Sequence, residues 1–205
     1  MPELRFFWDY MAEQVDRIRR VVALLERRKV RYALVGGHAV SFHARPRVTV
    51  DVDFLVPARA LPGLEKALAA EGFVALRRGE IVRAWEKGMN PAKDEPVVDL
   101  VPAEASRTQE EALRGAKVVR YQNLRVRIAG RPAVVALKFL AATSVHRDVG
   151  DKAQDVADIA HIVAASWSPG DLAEARRLLA LSSPPAADEL ERLIDDLRHG
   201  RRITI

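Results

Sequence analysis

One stretch of the chain, residues 32–56, joins an apolar run, a glycine pair, a segment able to form a short helix and a run of alternating polar and apolar residues. The apolar run ends at Gly36-Gly37, and the alternating run carries Asp51 and Asp53. We therefore predict a strand, a tight turn into a helix, and a second strand that presents two carboxylates. This order of features suggests a phosphate and metal site.

The alternating run predicts a strand over residues 47–54, because residues two apart on a strand share a face. Its polar face would carry Arg47, Thr49, Asp51 and Asp53, and its core face Val48, Val50, Val52 and Phe54. Two carboxylates so placed lie about 7 Å apart at the backbone, close enough to converge on one cation. Oxygen donors of this kind suit Mg²⁺. A solvated strand face is the alternative, since this spacing alone is a weak motif.

The glycine pair adds a second indication. After a buried strand, Gly36-Gly37 lets backbone N–H groups approach a ligand without a side chain in the way, and the start of the following helix favours negative charge. Such a turn can cradle a phosphate. A lone glycine pair is more often a plain strand-to-helix turn, so its meaning depends on the carboxylates that follow.

Taken together, these features form one motif, in which Gly36-Gly37 is followed by thirteen residues and then by Asp51-Val52-Asp53. The motif resembles the signature of the DNA polymerase β-type nucleotidyltransferase superfamily, in which a glycine pair opens a helix and a strand bears Asp-x-Asp. The resemblance implies a nucleotidyltransferase-like α/β (α+β) fold, with a small mixed β-sheet flanked by helices and a C-terminal helical portion. It also implies transfer of a nucleoside monophosphate from an NTP to a hydroxyl group.

A finer pattern, Gly-Gly-x-Ala followed by Arg47-x-Thr49-x-Asp51-x-Asp53, is similar to the AbiEii-type toxin branch and its minimal nucleotidyltransferase relatives. Members of that branch act in toxin–antitoxin systems and modify RNA such as tRNA. Minimal nucleotidyltransferases modify a partner protein, and other members modify aminoglycoside antibiotics. The resemblance therefore implies an NTP substrate, an acceptor such as RNA or protein, and an antitoxin as a partner.

A third carboxylate stands in another apolar strand, predicted over residues 96–101. Asp99 is costly to bury there unless it is paired or bound to a metal. The resemblance implies that Asp99 completes the site: Asp51 and Asp53 would hold two Mg²⁺ ions, and Asp99 would ligate one and accept the proton of the attacking hydroxyl. Capping of a turn at the strand end is the alternative for Asp99.

The nucleotide side of the site is less regular. Many superfamily members hold a terminal phosphate with a Ser where this chain has Gly37, so that role would pass to backbone N–H groups, helped by Arg45 or Arg47. Lys138 is the only charge between Ala133 and Ala142, where it either extends to water or meets an anion. The resemblance implies that Lys138 faces the nucleotide.

The segment 147–163 continues the resemblance. Arg147, Asp155 and Asp158 match three parts of the pattern, and Gln154 replaces a Lys. Because the carboxylates of Asp151, Asp155 and Asp158 share one helix face, they need nearby cations or solvent. We interpret them as structural ion pairs that position the helix, rather than as a second metal site.

Two further basic features have a functional and an ordinary interpretation. A helix over residues 9–29 carries Arg17, Arg20, Arg27 and Arg28 on one face, and a hairpin of residues 117–121 and 124–128 carries Arg120, Arg125 and Arg127. Either could contact nucleic acid, but a solvated polar face is the simpler explanation. His38 and His43 near the glycine turn are at least as well explained by structural roles as by catalysis.

Composition sets outer limits. The chain has 205 residues, a formal net charge of +5 and no Cys, which excludes disulfides and thiolate metal sites. No apolar run reaches the ~18 residues of a membrane span, and the N-terminus does not resemble a signal peptide, so we expect a cytoplasmic protein with no membrane partner. We predict a core with an N-terminal helix over residues 1–130 and a helical region packed on it over residues 131–205, where nothing after residue 163 carries recognisable chemistry.

The basic net charge slightly favours RNA as the acceptor. A non-catalytic nucleotide- or RNA-binding module of the same fold, or an antitoxin or scaffold, would share the same motifs. Those classes differ from an enzyme in lacking Mg²⁺-dependent turnover.

Overall fold

The computed structural model describes the backbone of residues 2–203 and the side chains of residues 12–203. In chain order the elements are α1 (Pro2–Arg27), β1 (Ala33–Leu34), α2 (Gly36–His43), β2 (Val52–Val56), α3 (Leu61–Ala70), β3 (Phe73–Arg78), β4 (Ile81–Glu86), β5 (Val98–Pro102), α4 (Arg107–Gly115), β6 (Lys117–Tyr121), β7 (Leu124–Ile128), α5 (Arg131–Ala142), α6 (Val149–Ala165), α7 (Pro169–Ala180) and α8 (Pro184–His199).

The strands form one mixed sheet in the order β3-β4-β5-β2-β1-β7-β6. Two neighbouring pairs are parallel, β2 with β5 and β1 with β7, and the other pairs are antiparallel. The parallel pairing of β2 with β5 places Asp53 directly opposite Asp99. The order of the strands therefore brings together carboxylates that lie far apart along the chain.

A continuous hydrophobic core joins the sheet to the helices. Phe54, Leu55 and Leu100 of the central strands are almost fully buried, as are Ile18 of α1 and Phe139 of α5. α5 packs on α2, α4, α6 and α7, while α3 packs on β3 and β4. The predicted α/β fold with a mixed sheet, flanking helices and a C-terminal run of helices is confirmed. A domain boundary near residue 130 stays a prediction.

The strand predicted over residues 47–54 is wrong in its first half, since β2 begins only at Val52. Val52 is the first residue of this run whose backbone bonds to the backbone of a neighbouring segment. Its N–H donates to the Val97 carbonyl at 3.0 Å. Val48 and Val50 were predicted to be core residues, but they are 57% and 54% exposed. Alternation alone cannot make a strand where no partner offers backbone hydrogen bonds.

The predicted hairpin of β6 and β7 is confirmed with the same bounds. Its turn residues, Gln122 and Asn123, have φ of 49° and 62°, the left-handed pair that suits the twist of a two-residue hairpin loop. Within residues 2–203, no helix is both long enough and apolar enough to cross a membrane.

The predicted basic face of the first helix is solvated only in part, because Arg27 and Arg28 are exposed, whereas Arg17 is buried and Arg20 is partly buried. Arg17 is 6% exposed, and its Nε lies 3.1 Å from an oxygen of Glu86. Arg20 pairs with the same carboxylate at 2.5 Å, and Arg27 pairs with Glu71. These arginines fasten α1 to the sheet and to the end of α3.

Candidate active site

One cavity of about 770 Å³ opens beside the ends of β2 and β5 and beneath α5 and α6. Its lining includes Gly36, Gly37, Arg47, Thr49, Asp51, Asp53, Asp99 and Lys138, all predicted for the site, but not Arg45, which the sequence offered as an alternative to Arg47. The size falls in the range of small-ligand pockets. The fold therefore gathers the predicted residues around one space.

The glycine pair lies directly against the side chains of the site. Gly36 has a φ of +60°, which favours glycine, and a Cβ at this position would lie 1.8 Å from Oδ2 of Asp53. A Cβ on Gly37 would lie 2.5 Å from Oγ1 of Thr49 and 2.7 Å from Nη2 of Arg47. Only glycine at both positions lets these three side chains approach the N-terminus of α2.

The charge of Asp51 raises the pKa of both Asp53 and Asp99. Burial, together with the charges of Asp51 and Asp99, raises the pKa of Asp53 to about 7. Burial also raises the pKa of Asp99 to about 6, against the opposing effect of Arg83, whose Nε lies 3.7 Å from Oδ2 of Asp99. Such shifts mark a site where negative charge accumulates without full compensation by the protein.

The donors present fit a hard divalent cation such as Mg²⁺. All three are carboxylates, and the buried Oδ1 of Asp99 has no hydrogen-bond partner among the described residues. The side chain of Asp51, in contrast, accepts a hydrogen bond from Oγ1 of Thr49 at 3.1 Å. Over the described side chains, no group of three His, Asp or Glu residues is arranged as a ready metal cluster. Their role as metal ligands therefore stays a prediction.

A network of ion pairs closes the other side of the cavity. The buried carboxylates of Asp155 and Asp158 on α6 each contact Nζ of Lys138 at 2.8 Å. Nε of Arg147 lies 2.7 Å from Asp155, and the Arg47 guanidinium holds both oxygens of Asp158 at 3.0 and 3.1 Å. The interpretation of the α6 carboxylates as structural ion pairs agrees with these contacts.

Lys138 lines the cavity but is not free to meet an anion on its own. Burial lowers the pKa of Lys138, but the charges of Asp158 and Asp155 outweigh that effect and leave the pKa above its usual range. Gln154, which stands where the resembling families have Lys, donates to Oδ1 of Asp158 at 3.1 Å. The sequence could not show that the charge of Lys138 is compensated within the protein.

Sequence analysis missed four polar residues that also line the cavity, Arg83, Glu95, Gln109 and Asp148. Arg83 is opposite Asp99 in the antiparallel pairing of β4 with β5. Its only sequence signal is a basic residue in an otherwise apolar strand, and pairing across strands is needed to place it. Glu95 lies in the loop that leads into β5, and its negative charge also raises the pKa of Asp99.

The two histidines near the glycine turn are structural in their contacts. His38 is buried, its Nδ1 lies 3.2 Å from the Tyr121 hydroxyl, and burial lowers its pKa to about 4. His43 Nε2 donates to the Ala129 carbonyl at 2.7 Å. Neither side chain lines the cavity that holds the carboxylates.

Solved structures similar to this chain are nucleotidyltransferase-like. An antigenic nucleotidyltransferase-like protein from Paracoccidioides brasiliensis matches with a TM-score of 0.57 and 16% identity, over 93% of this chain and 95% of that one. The crystal structure of ANT(2")-Ia in complex with adenylyl-2"-tobramycin matches with a TM-score of 0.52 and 18% identity, over 92% of this chain and 98% of that one. A solution structure of the antibiotic-resistance factor ANT(2'')-Ia matches with a TM-score of 0.51 and 18% identity, over 92% and 93%.

At these identities the similarity defines the fold: the chain has the nucleotidyltransferase-like fold. No protein-family model matches the sequence, and no curated protein matches it. The predicted resemblance to the superfamily therefore agrees with the structure at the level of the fold, and the similar structures do not single out the AbiEii-type branch.

Proposed function

We propose that this protein is a Mg²⁺-dependent nucleotidyltransferase, which moves a nucleoside monophosphate from an NTP to a hydroxyl group of an acceptor. The observation that carries the proposal is the pairing of Asp53 with Asp99 across two parallel strands, with Asp51 close enough to raise the pKa of both. These carboxylates face a glycine turn at a helix N-terminus, where phosphates bind well.

Asp51, Asp53 and Asp99 are the residues that would hold Mg²⁺, two ions in all. Bound Mg²⁺ would stabilise negative charge on the phosphoryl oxygens. Asp99 has a second role. In the proposal its carboxylate also accepts the proton of the acceptor hydroxyl.

The triphosphate would lie between the glycine turn and the ion-pair network. Gly36 and Gly37 at the start of α2 line this space, and a helix N-terminus favours negative charge. Arg47 and Arg147 also line the cavity while they pair with Asp158 and Asp155. In this proposal Lys138 supports the arginines by sharing their carboxylate partners, and its contact with phosphate is secondary.

The charge of the cavity favours a small cationic acceptor over RNA. Seven carboxylates line it, Asp51, Asp53, Glu95, Asp99, Asp148, Asp151 and Asp155, against four cations, Arg47, Arg83, Lys138 and Arg147. Two Mg²⁺ ions and one triphosphate cancel each other's charge, so the negative excess would remain for the acceptor to neutralise. The net charge of +5 belongs to the chain as a whole and is not concentrated here. Aminoglycosides are polycations rich in hydroxyl groups, and a similar solved structure is that of ANT(2")-Ia with adenylyl-2"-tobramycin.

Label transfer from each α-labelled NTP tests the proposal. The protein is incubated with Mg²⁺ and, in parallel, with an aminoglycoside, total RNA and cell protein. The control variants are Asp51→Ala/Asp53→Ala, which removes the proposed ligands, and Asp188→Ala, which removes an exposed carboxylate paired with Arg176. We expect label in the aminoglycoside with wild type and Asp188→Ala, and none with the double variant.

Other outcomes distinguish the alternatives. Label found in RNA or in one protein would still support a transferase, with that molecule as the acceptor in place of an aminoglycoside. NTP binding without label in any fraction, unchanged by the double variant, would contradict the enzyme and support a non-catalytic binding module.

A further inference from the structure

The segment between α2 and β2 carries three residues of the proposed site but has no strand partner. Residues 44–51, here called the site loop, contain Arg47, Thr49 and Asp51. Without ladder hydrogen bonds, the conformation of the site loop depends on contacts from other elements. The question is which contacts fix the end of the loop that bears Asp51.

Two side chains of α1 converge on one carbonyl oxygen of the site loop. Nε2 of Gln14 donates to the Val50 carbonyl at 3.3 Å, and Nη1 of Arg17 donates to the same oxygen at 3.3 Å. Gln14 is 2% exposed and Arg17 is 6% exposed. Both lone pairs of this carbonyl are therefore engaged by buried donors.

The burial of Arg17 is costly unless its guanidinium finds partners, and the structure shows two of them. Its Nε lies 3.1 Å from an oxygen of Glu86 at the end of β4, and its Nη1 donates to the Val50 carbonyl. Glu86 is shared with Arg20, whose Nη2 lies 2.5 Å away. Arg17 thus links the sheet, α1 and the site loop through one buried guanidinium.

We propose that Gln14 and Arg17 are positioning residues for Asp51. The Val50 carbonyl and the Asp51 N–H belong to one planar peptide group, so holding the oxygen fixes the plane from which Asp51 projects. The inference rests on the proposed function, in which Asp51 is a metal ligand. It gives α1, which contributes nothing to the cavity lining among its described side chains, a defined part in the reaction.

Arg20 provides a matched control. It pairs with Glu86 as Arg17 does, and it also contacts the Glu71 carbonyl at 3.1 Å and the Asp16 carboxylate at 3.1 Å. None of its contacts is with the site loop. Arg17→Met and Arg20→Met therefore each remove one cation from Glu86, but only Arg17→Met also removes a donor from the Val50 carbonyl.

The experiment measures transfer kinetics, Mn²⁺ binding and amide hydrogen exchange in wild type, Gln14→Leu, Arg17→Met, Arg17→Lys and Arg20→Met. Loss of support behind a metal ligand typically costs about 10- to 100-fold in metal affinity or activity. We expect Gln14→Leu and Arg17→Met to lose Mn²⁺ affinity and kcat by about that much, with the KM for NTP nearly unchanged. Arg17→Lys, which keeps the positive charge but not the forked guanidinium, should recover part of the loss, and Arg20→Met should behave as wild type.

Hydrogen exchange reports the loop geometry without reference to activity. Faster exchange of the amides of residues 47–51 is expected in Gln14→Leu and Arg17→Met only. Equal effects of Arg17→Met and Arg20→Met on all three measurements would overturn the positioning role, because a general loss of stability would then explain both variants. If wild type transfers no label to any acceptor, the proposed function fails, and the Mn²⁺ and exchange data still decide whether α1 positions Asp51.

Discussion

Gly36 and Asp53 are in such close contact that a single added carbon at Gly36 would lie 1.8 Å from the Asp53 carboxylate. The glycine belongs to the N-terminus of α2, and the carboxylate belongs to β2. The proposed phosphate site at the start of α2 and the proposed metal site on β2 are therefore in direct contact.

Gly36→Ala should abolish nucleotidyl transfer and destabilise the fold. The substitution combines a positive φ with a clash, whereas Gly79→Ala shares the positive φ, +62°, and meets nothing within 4 Å. Gly79→Ala should cost about 1 kcal/mol in unfolding free energy, and Gly36→Ala clearly more. Urea unfolding and label transfer of both variants check this, and equal costs would show that Asp53 can move away freely.

The metal-free protein should become less stable as pH rises from about 5 to about 8. The folded-state pKa values of Asp53 and Asp99 are raised to about 7 and about 6, so their protons stabilise the fold at low pH and this contribution is lost as pH rises through those values. Asp53→Asn, which cannot ionise, should reduce the dependence. The unfolding free energies of wild type and Asp53→Asn are measured in EDTA at about pH 5 and about pH 8. Because His38 is present in both proteins, its contribution cancels in the comparison.

Lys138→Met should destabilise the protein by about 3 kcal/mol, because removing one partner leaves two buried carboxylates less compensated. Lys66→Met, at an exposed position on α3, should change the unfolding free energy by less than about 0.5 kcal/mol. If Lys138 instead served only the phosphates, Lys138→Met would raise the KM for NTP and leave the melting curve unchanged. Thermal unfolding and steady-state kinetics separate these results.

Arg47→Lys should weaken NTP binding more than it weakens the fold. The Arg47 guanidinium contacts both oxygens of Asp158, and an ammonium group cannot reproduce that paired geometry. The positively charged group of the side chain at position 47 should then lie further from the cavity. A several-fold rise in the KM for NTP at an unchanged acceptor KM is the expected result, and an equal rise in both would contradict it.

Local patterns in the sequence were enough to predict the elements that depend on local interactions. The β6–β7 hairpin follows from alternation on either side of Gln122-Asn123, whose left-handed conformations complete a tight turn. The cost of burial predicted only that Asp99 needs a partner, whereas the meeting of Asp53 with Asp99 was implied by the resemblance to the superfamily. Their placement opposite each other agrees with that implication.

The features that sequence analysis missed depend on distant partners. Arg17 looks like an ordinary surface residue until Glu86, 69 residues away, is brought beside it. Lys138 looks like a candidate phosphate ligand until α6 folds back and supplies Asp155 and Asp158. The strand predicted over residues 47–54 failed at residues 47–51 for the same reason, since only the tertiary fold shows that no strand of the described chain lies beside them.

The pairing of β2 with β5 also has a consequence for how the chain folds. These strands are parallel, and α3 and the β3–β4 hairpin lie between them in the sequence. Parallel pairing of distant strands is slow to form, because the intervening chain must be ordered first. Asp53 and Asp99 would therefore be kept apart until late in folding, so a newly made chain would acquire the proposed affinity for divalent cations only when the central sheet is complete.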